Sequence, residues 1–290
     1  MQQLNIKNNQ VALLITCPER KGLISTVSNF LLEHDANIIQ FDQHTTDPKS
    51  GEIFMRIEFY LKDLDKTYEK IKEDFEPLAK EHSMEWFINS NRKKKRMAIF
   101  VSKEGHCLEE LLWRWKSGEI EVEIPMVISN HLDLKKEVEA YGIPYYHIPV
   151  TPETKAEAEQ KMVSLMEGKV DFIVLARYMQ ILSPDFVKRF SNQVINIHHS
   201  FLPAFIGANP YVRAFNRGVK LIGATSHYVT NDLDEGPIIE QDVLRVTHRY
   251  NAEELKVAGR QVEKQVFARA VRWHIENRVI VHGNKTIVFN

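Results

Sequence analysis

The chain has 290 residues, 43% hydrophobic and 27% charged, with 38 Lys and Arg against 39 Asp and Glu for a formal net charge of -1. Values this ordinary at this length fit two globular domains, and a balanced charge gives neither nucleic acid nor an anionic membrane an electrostatic reason to bind. The two cysteines, Cys17 and Cys107, match no metal-ligand spacing and read as free core thiols of a cytoplasmic protein, and no stretch approaches the roughly 20 apolar residues of a membrane span.

Residues 10–16 predict a buried strand and residues 22–34 a helix with Ile24, Val27 and Leu31 on one face. A second strand is expected over 36–46. Residues 53–61 then alternate, with Ile53, Met55, Ile57, Phe59 and Leu61 on one face and Phe54, Arg56, Glu58 and Tyr60 on the other. Between these strands, Asp47-Pro-Lys-Ser-Gly51 is turn chemistry. A charged amphipathic stretch over 64–82 and a strand over 84–88 complete a β-α-β-β-α-β order, which implies a ferredoxin-like sandwich over residues 1–90. The basic run from Arg92 to Arg96 reads as a solvated linker over 91–96.

Beyond it, residues 97–290 change character. Short runs at 97–101, 124–128, 145–148, 171–176 and 194–197 are mostly apolar on both faces, as in a parallel sheet covered by helices. The expected fold is therefore α/β overall, its second unit a doubly wound, mostly parallel domain whose ligand lies beyond the carboxyl ends of the strands near a switch in strand order. Leu111, Leu112 and Trp113 read as the buried face of an amphipathic helix. A long helix over 252–276 carries Val262, Val266 and Ala270 on one stripe, and residues 279–288 read as a hairpin turning at Gly283-Asn284 that covers a sheet edge or joins a subunit interface.

Asn196, His198 and Asp234 are the residues with the most chemistry in them. They lie in Asn196-Ile-His-His-Ser-Phe-Leu-Pro and His227-Tyr-Val-Thr-Asn-Asp-Leu-Asp-Glu-Gly-Pro. An amide donor, an imidazole and a carboxylate together can polarise a carbonyl, stabilise its oxyanion and move a proton near neutral pH. Taken alone, Asn-x-His at a strand end is more often a cap or a satisfied buried group than a catalyst. His198, His199, His227 and Asp234 also have zinc-ligand chemistry, but adjacent histidines on an extended segment point apart and do not easily share one ion. No metal and no separate cofactor is expected.

The first unit resembles the ACT family of regulatory domains in Cys17-Pro-Glu-Arg-Lys-Gly-Leu-Ile24, the helix after it and Ala36-Asn-Ile38. The resemblance implies an amino acid effector pocket near Arg20, Gly22, Leu23 and Asn37, where backbone N–H groups at a helix start can hold a carboxylate. Assembly without a ligand is the other reading, and a homo-oligomer, dimer or tetramer, is expected on either.

The second unit resembles the formyltransferase domain of enzymes that use 10-formyltetrahydrofolate. The likeness rests on Asn196-Ile-His-His-Ser-Phe-Leu-Pro-Ala-Phe-Ile-Gly207, Gly223-Ala-Thr-Ser-His-Tyr-Val229, Leu233-Asp-Glu-Gly-Pro-Ile238 and Tyr178-Met-Gln-Ile-Leu-Ser-Pro184, in the family's order over residues 97–280. It implies Asn196, His198 and Asp234 as catalytic residues and Met179, Ile181, Leu182, Val229 and Leu233 around the pterin. Gln180 stands where transferases often have Arg.

Three departures point to the hydrolytic branch of that family. Lys103, Glu104 and His106 replace a glycine- and serine-rich phosphate loop, His199 replaces a usual proline, and the ACT unit is extra. His199 is expected to line the space an amine acceptor would need, or to hold a water. The resemblance thus implies hydrolysis of 10-formyltetrahydrofolate to formate and tetrahydrofolate, balancing one-carbon supply to purine synthesis. The alternatives are a formyltransferase with an amine acceptor and a non-catalytic amino acid sensor.

Overall fold

The computed structural model describes residues 9–204 and 210–290. Its contacts divide the chain into two units, one of residues 1–94, 277–280 and 287–290, the other of residues 95–276 and 281–286. Among the described residues, no helix is long and apolar enough to cross a membrane.

The first unit runs β1 (Gln10–Pro18), α1 (Leu23–Glu33), β2 (Asn37–Thr45), β3 (Glu52–Tyr60), α2 (Leu64–Glu81) and β4 (Glu85–Ser90). The strands form one antiparallel sheet in the order β2-β3-β1-β4, the predicted βαββαβ arrangement. Gly22, at φ 92, takes the left-handed turn that starts α1. Because the helix then begins at Leu23, its core stripe is Leu23, Val27, Phe30 and Leu31, and Ile24, expected inside, is exposed. These side chains meet Leu13, Ile15, Met55, Ile57 and Phe75 in the core beneath the sheet.

The alternation in β3 predicts one dry and one wet face, yet Phe54 and Arg56 are both 0% exposed. The chain end explains this. Ile280, Ile287 and Phe289 pack on Ala12, Leu14 and Phe54, so the C-terminal residues cover the second face of this sheet rather than its edge. Arg56 is paired there, its Nε donating to the Asn277 carbonyl at 2.9 Å and its Nη2 bound to Glu58. The hairpin itself is as expected, β12 (Val279–His282) and β13 (Lys285–Val288) turning at Gly283.

The second unit contains β5 (Arg96–Val101), α3 (His106–Ser117), β6 (Glu123–Ser129), α4 (Lys135–Glu139), β7 (Tyr145–His147), α5 (Lys155–Met166), β8 (Phe172–Ala176), α6 (Pro184–Arg189), β9 (Val194–His198), α7 (Pro210–Arg217), β10 (Leu221–Tyr228), β11 (Ile238–Arg245) and α8 (Ala252–Ile275). Its sheet has the order β11-β10-β9-β8-β5-β6-β7. The pairs from β9 through β7 are parallel, while β10 and β11 are antiparallel. The chain first winds one way from β5 and then returns to the other side at β8. This reversal opens the crevice between the carboxyl ends of β5 and β8 that such sheets use for ligands.

Part of the basic run is tied to the fold on either side of it. Arg92 pairs with Asp65 and donates to Asn9 at 2.9 Å. Lys95 Nζ donates to the His274 carbonyl at 2.6 Å, and burial pulls its ammonium down to about 8. Arg96 already belongs to β5 and forks onto Asp171, at 3.1 Å from Nε and 2.7 Å from Nη2. Arg92, Lys93 and Lys94 are exposed, while Lys95 and Arg96 are half-buried.

Candidate active site

Four carboxyl-end segments of the second unit converge on one cavity of about 740 Å³. β9 carries Asn196 and ends on His198, so its last turn of pleat delivers both to the sheet edge. β10 lies antiparallel beside it with His227 opposite Asn196, and the loop after β10 brings in Asp234. Asp234 has φ 59, a left-handed conformation that aspartate tolerates better than most residues.

The predicted trio is therefore assembled. His198 Nδ1 lies 3.2 Å from Asp234 Oδ2, and His227 Nε2 lies 3.5 Å from Asp234 Oδ1. Asn196 Nδ2 is 3.2 Å from His227 Nε2. His227 Nδ1 donates to the Tyr228 carbonyl at 2.9 Å, and its Nε2 faces both the Asn196 amide and the Asp234 carboxylate. Asn196 keeps a second N–H. The Nε2 of His198 is buried with no hydrogen-bond partner, and His198 lines the cavity. Burial by itself would raise the Asp234 carboxyl, but hydrogen bonds from His198 and His227 outweigh it and hold the group far below the carboxylate range. Asp234 is an ionised carboxylate clasped by two imidazoles.

His199 departs from expectation in its direction. β9 ends at His198, so His199 is released from the strand's alternation, and both rings line the same cavity with centroids 5.2 Å apart. Burial, reinforced by the nearby Arg177 charge, pulls its imidazole down to about 4, so it is neutral at pH 7. Burial likewise depresses His274. Below the ordinary imidazole value of about 6.5 the unfolded chain takes up protons that these folded side chains refuse. Stability should therefore be complete above that value and decline as pH falls from about 6.5 toward about 4. Urea midpoints at pH 7.5 and 5.5 check this: the lower pH should give the lower midpoint, with a smaller difference in His199→Gln. Equal wild-type midpoints would contradict it.

The apolar residues assigned to the pterin divide into two groups. All five line the cavity, but Met179, Ile181 and Leu233 are exposed, whereas Leu182 is buried in a core cluster and half-buried Val229 packs against it. The loop bearing Met179 is held by its N–H donating to Ser102 Oγ at 3.0 Å, the Ser102 hydroxyl in turn donating to Asn130 Oδ1 at 2.7 Å. On α3, Leu111 and Leu112 are core, but Trp113 points outward, 56% exposed. In the first unit, Arg20, Gly22 and Asn37 are exposed while Leu23 is 2% exposed within the core, which removes its side chain from any effector surface. Residues 205–207 of the quoted motif lie outside the described residues.

One part of the site was not anticipated. Glu263 on α8, 1% exposed, accepts from Tyr211 Oη at 2.6 Å and from His106 Nε2 at 2.8 Å, and Arg177 Nε lies 3.5 Å away. Burial would raise this carboxyl, but these partners bring it down to about 2. The sequence signal was an acid one residue after Val262 on the apolar stripe of α8. Among the described residues His106, Cys107 and Glu263 form the one trio of metal-binding types within 4.8 Å. The Glu263 oxygens are already engaged by Tyr211 and His106, and burial drives the Cys107 thiol well above its ordinary value, so the three groups are a hydrogen-bonded His106–Glu263 pair beside a buried thiol. Glu104, at the turn before α3, is tied to Arg260 at 2.6 Å and Lys256 at 3.5 Å. An ionised carboxylate thus occupies the turn where a phosphate loop would present bare N–H groups.

The model of the formyl transferase family matches residues 95–271, and that of the ACT domain residues 11–76. Formyltetrahydrofolate deformylase of Bacillus subtilis strain 168 is 57% identical over 279 residues, 96% of this chain and 93% of that protein. The crystal structure of a formyltetrahydrofolate deformylase from Pseudomonas syringae pv. tomato matches with a TM-score of 0.93 at 49% identity, over 100% of this chain and 97% of that one. Glycinamide ribonucleotide transformylase 1 from Symbiobacterium toebii matches with a TM-score of 0.64 at 27% identity, over 68% of this chain and 95% of that one.

Proposed function

Since the chain belongs to the formyltetrahydrofolate deformylase family, we propose that Asn196, His198 and Asp234 carry the reaction of that family here, hydrolysis of 10-formyltetrahydrofolate to formate and tetrahydrofolate. The observation that supports these roles most directly is the His198–Asp234 pair at 3.2 Å, with the second nitrogen of His198 unpartnered beside the cavity.

Water is a weak nucleophile and an arylamine a reluctant leaving group, so both ends of the C–N bond need proton management. With its Nδ1 facing Asp234, His198 turns Nε2 toward the formyl oxygen, where, when it carries a proton, it donates alongside an N–H of Asn196. Asp234 has a lone pair left for a water. As that water attacks the formyl carbon, one of its protons passes to Asp234 and the carbonyl electron pair moves onto the oxygen between His198 and Asn196. Preorganised donors of this kind are worth about 10²–10³ in turnover each. Collapse re-forms the carbonyl and breaks the C–N10 bond; N10 takes the proton from the His198–Asp234 pair, and formic acid ionises to formate.

The exposed apolar faces of Met179, Ile181 and Leu233 suit the pterin and the remaining folate. Neutral His199 and the Glu263 network fill ground an amine acceptor would need, which favours water. In the first unit, Arg20, Gly22 and Asn37 remain candidates for an amino acid effector. Edge strands β2 and β4, with Ile39 and Phe87 exposed, suit assembly into a homo-oligomer of a cytoplasmic enzyme.

Incubation with 10-formyltetrahydrofolate and no amine is the deciding experiment. Formate and tetrahydrofolate should appear in equal amounts; a formyl group retained until an amine is supplied would overturn hydrolysis in favour of transfer.

A further inference from the structure

Arg177 follows β8 with φ 63, and its side chain is only 10% exposed. It lines the same cavity as Asn196, His198 and Asp234. Its Nε and Nη1 are buried without a hydrogen-bond partner. The neighbouring anion is Glu263, 3.5 Å from Nε, but Glu263 is already committed to Tyr211 and His106. A guanidinium cannot shed its charge to escape this situation, and buried donors without acceptors are costly. The fork of donors matches a carboxylate.

We propose that Arg177 is a carboxylate subsite that receives the formate as it leaves the reacting centre. The proposal rests on the hydrolytic reading above, in which a carboxylate is made within this cavity. The other carboxylate available is the glutamate end of the folate. Formate is favoured because Arg177 is set among buried Glu263, Tyr211 and half-buried His199, a confined setting that suits a one-carbon anion. Glu263 also offsets part of the guanidinium charge, which keeps the hold on an anion weak enough for release. Arg177 then makes formate a product inhibitor and draws it off the face from which the next water attacks.

The test measures tetrahydrofolate production at increasing formate, and titrates formate calorimetrically into the folate-free enzyme. Wild type should be inhibited by formate; the inhibition and binding constants should rise about tenfold in Arg177→Lys, which keeps the charge beside Glu263, and more in Arg177→Met, as expected for losing charge-assisted hydrogen bonds. Inhibition by tetrahydrofolate should stay close to wild type in both, and melting temperature reports whether each variant folds; Arg177→Lys carries the test if Arg177→Met does not. Unchanged formate affinity in Arg177→Lys, or no formate binding by wild type, overturns the proposal. So does loss of inhibition by p-aminobenzoylglutamate with formate inhibition intact, which would assign Arg177 to the folate tail. The calorimetric arm needs no turnover, so its result stands apart from whether the enzyme hydrolyses its substrate.

Discussion

Formate release should fall by about 10²–10⁴ in Asp234→Asn, the usual weight of a positioned acid–base group, while folate binding stays measurable. Asparagine is the cleaner replacement. Asp234 sits at φ 59, where asparagine is tolerated and alanine is strained, so Asp234→Ala would mix a backbone cost with the loss of chemistry. The amide keeps the size and one acceptor oxygen but removes the negative charge beside His198 that receives the proton of water. The carboxyl is held so far down by its two imidazole partners that it stays ionised through the neutral and mildly acidic range. Any loss of wild-type activity between pH 5 and 7 must then come from another group. Tetrahydrofolate binding measured alongside turnover separates chemistry from affinity, and near-wild-type turnover in Asp234→Asn would remove Asp234 from its role.

The way Asp234 reaches His198 shows where sequence reasoning succeeds and where it stops. The strands that read as apolar on both faces, 97–101, 124–128 and 171–176, are the central parallel strands, because burial on both faces is a property of the residues alone. β10 and β11 were harder. β11 ends Asp242-Val-Leu-Arg245, mostly exposed at the sheet edge, where no hydrophobic alternation marks it. Phe54 and Arg56 read as a wet face because what covers them comes from Ile280 and Phe289, at the far end of the chain. The trio Asn196, His198 and Asp234 was legible because the motifs around it resemble those of the formyltransferase domain, whereas the three residue types alone fit a cap or a satisfied buried group. Arg177 and Glu263 were not, since each is one charged residue whose meaning depends on a partner far away in sequence. His199 was legible as a residue but not in direction, which depended on the strand ending one residue earlier.

Glu263→Ala should be the most destabilising single change in the second unit's site, by about 3–5 kcal/mol, the cost of breaking a buried ion pair from one side. Three groups depend on this carboxylate. Tyr211 and His106 would lose their acceptor, and Arg177 would lose the carboxylate 3.5 Å from its Nε. There is no room to collapse: Gly259, one turn earlier on α8, is packed so tightly under Tyr211 that a Cβ there would lie 2.1 Å from its hydroxyl. Glu263→Gln should cost less, because the amide oxygen still accepts from Tyr211 while only the charge is lost. Urea denaturation of both variants reads these differences, and the order alanine worse than glutamine distinguishes a hydrogen-bonded anion from mere side-chain volume. Since Glu263 bonds to neither Asp234 nor His198, turnover by whatever fraction stays folded should fall far less than in Asp234→Asn. A loss of turnover as large as that one, with stability unchanged, would instead make Glu263 part of the chemistry and demand a different reading of the cavity.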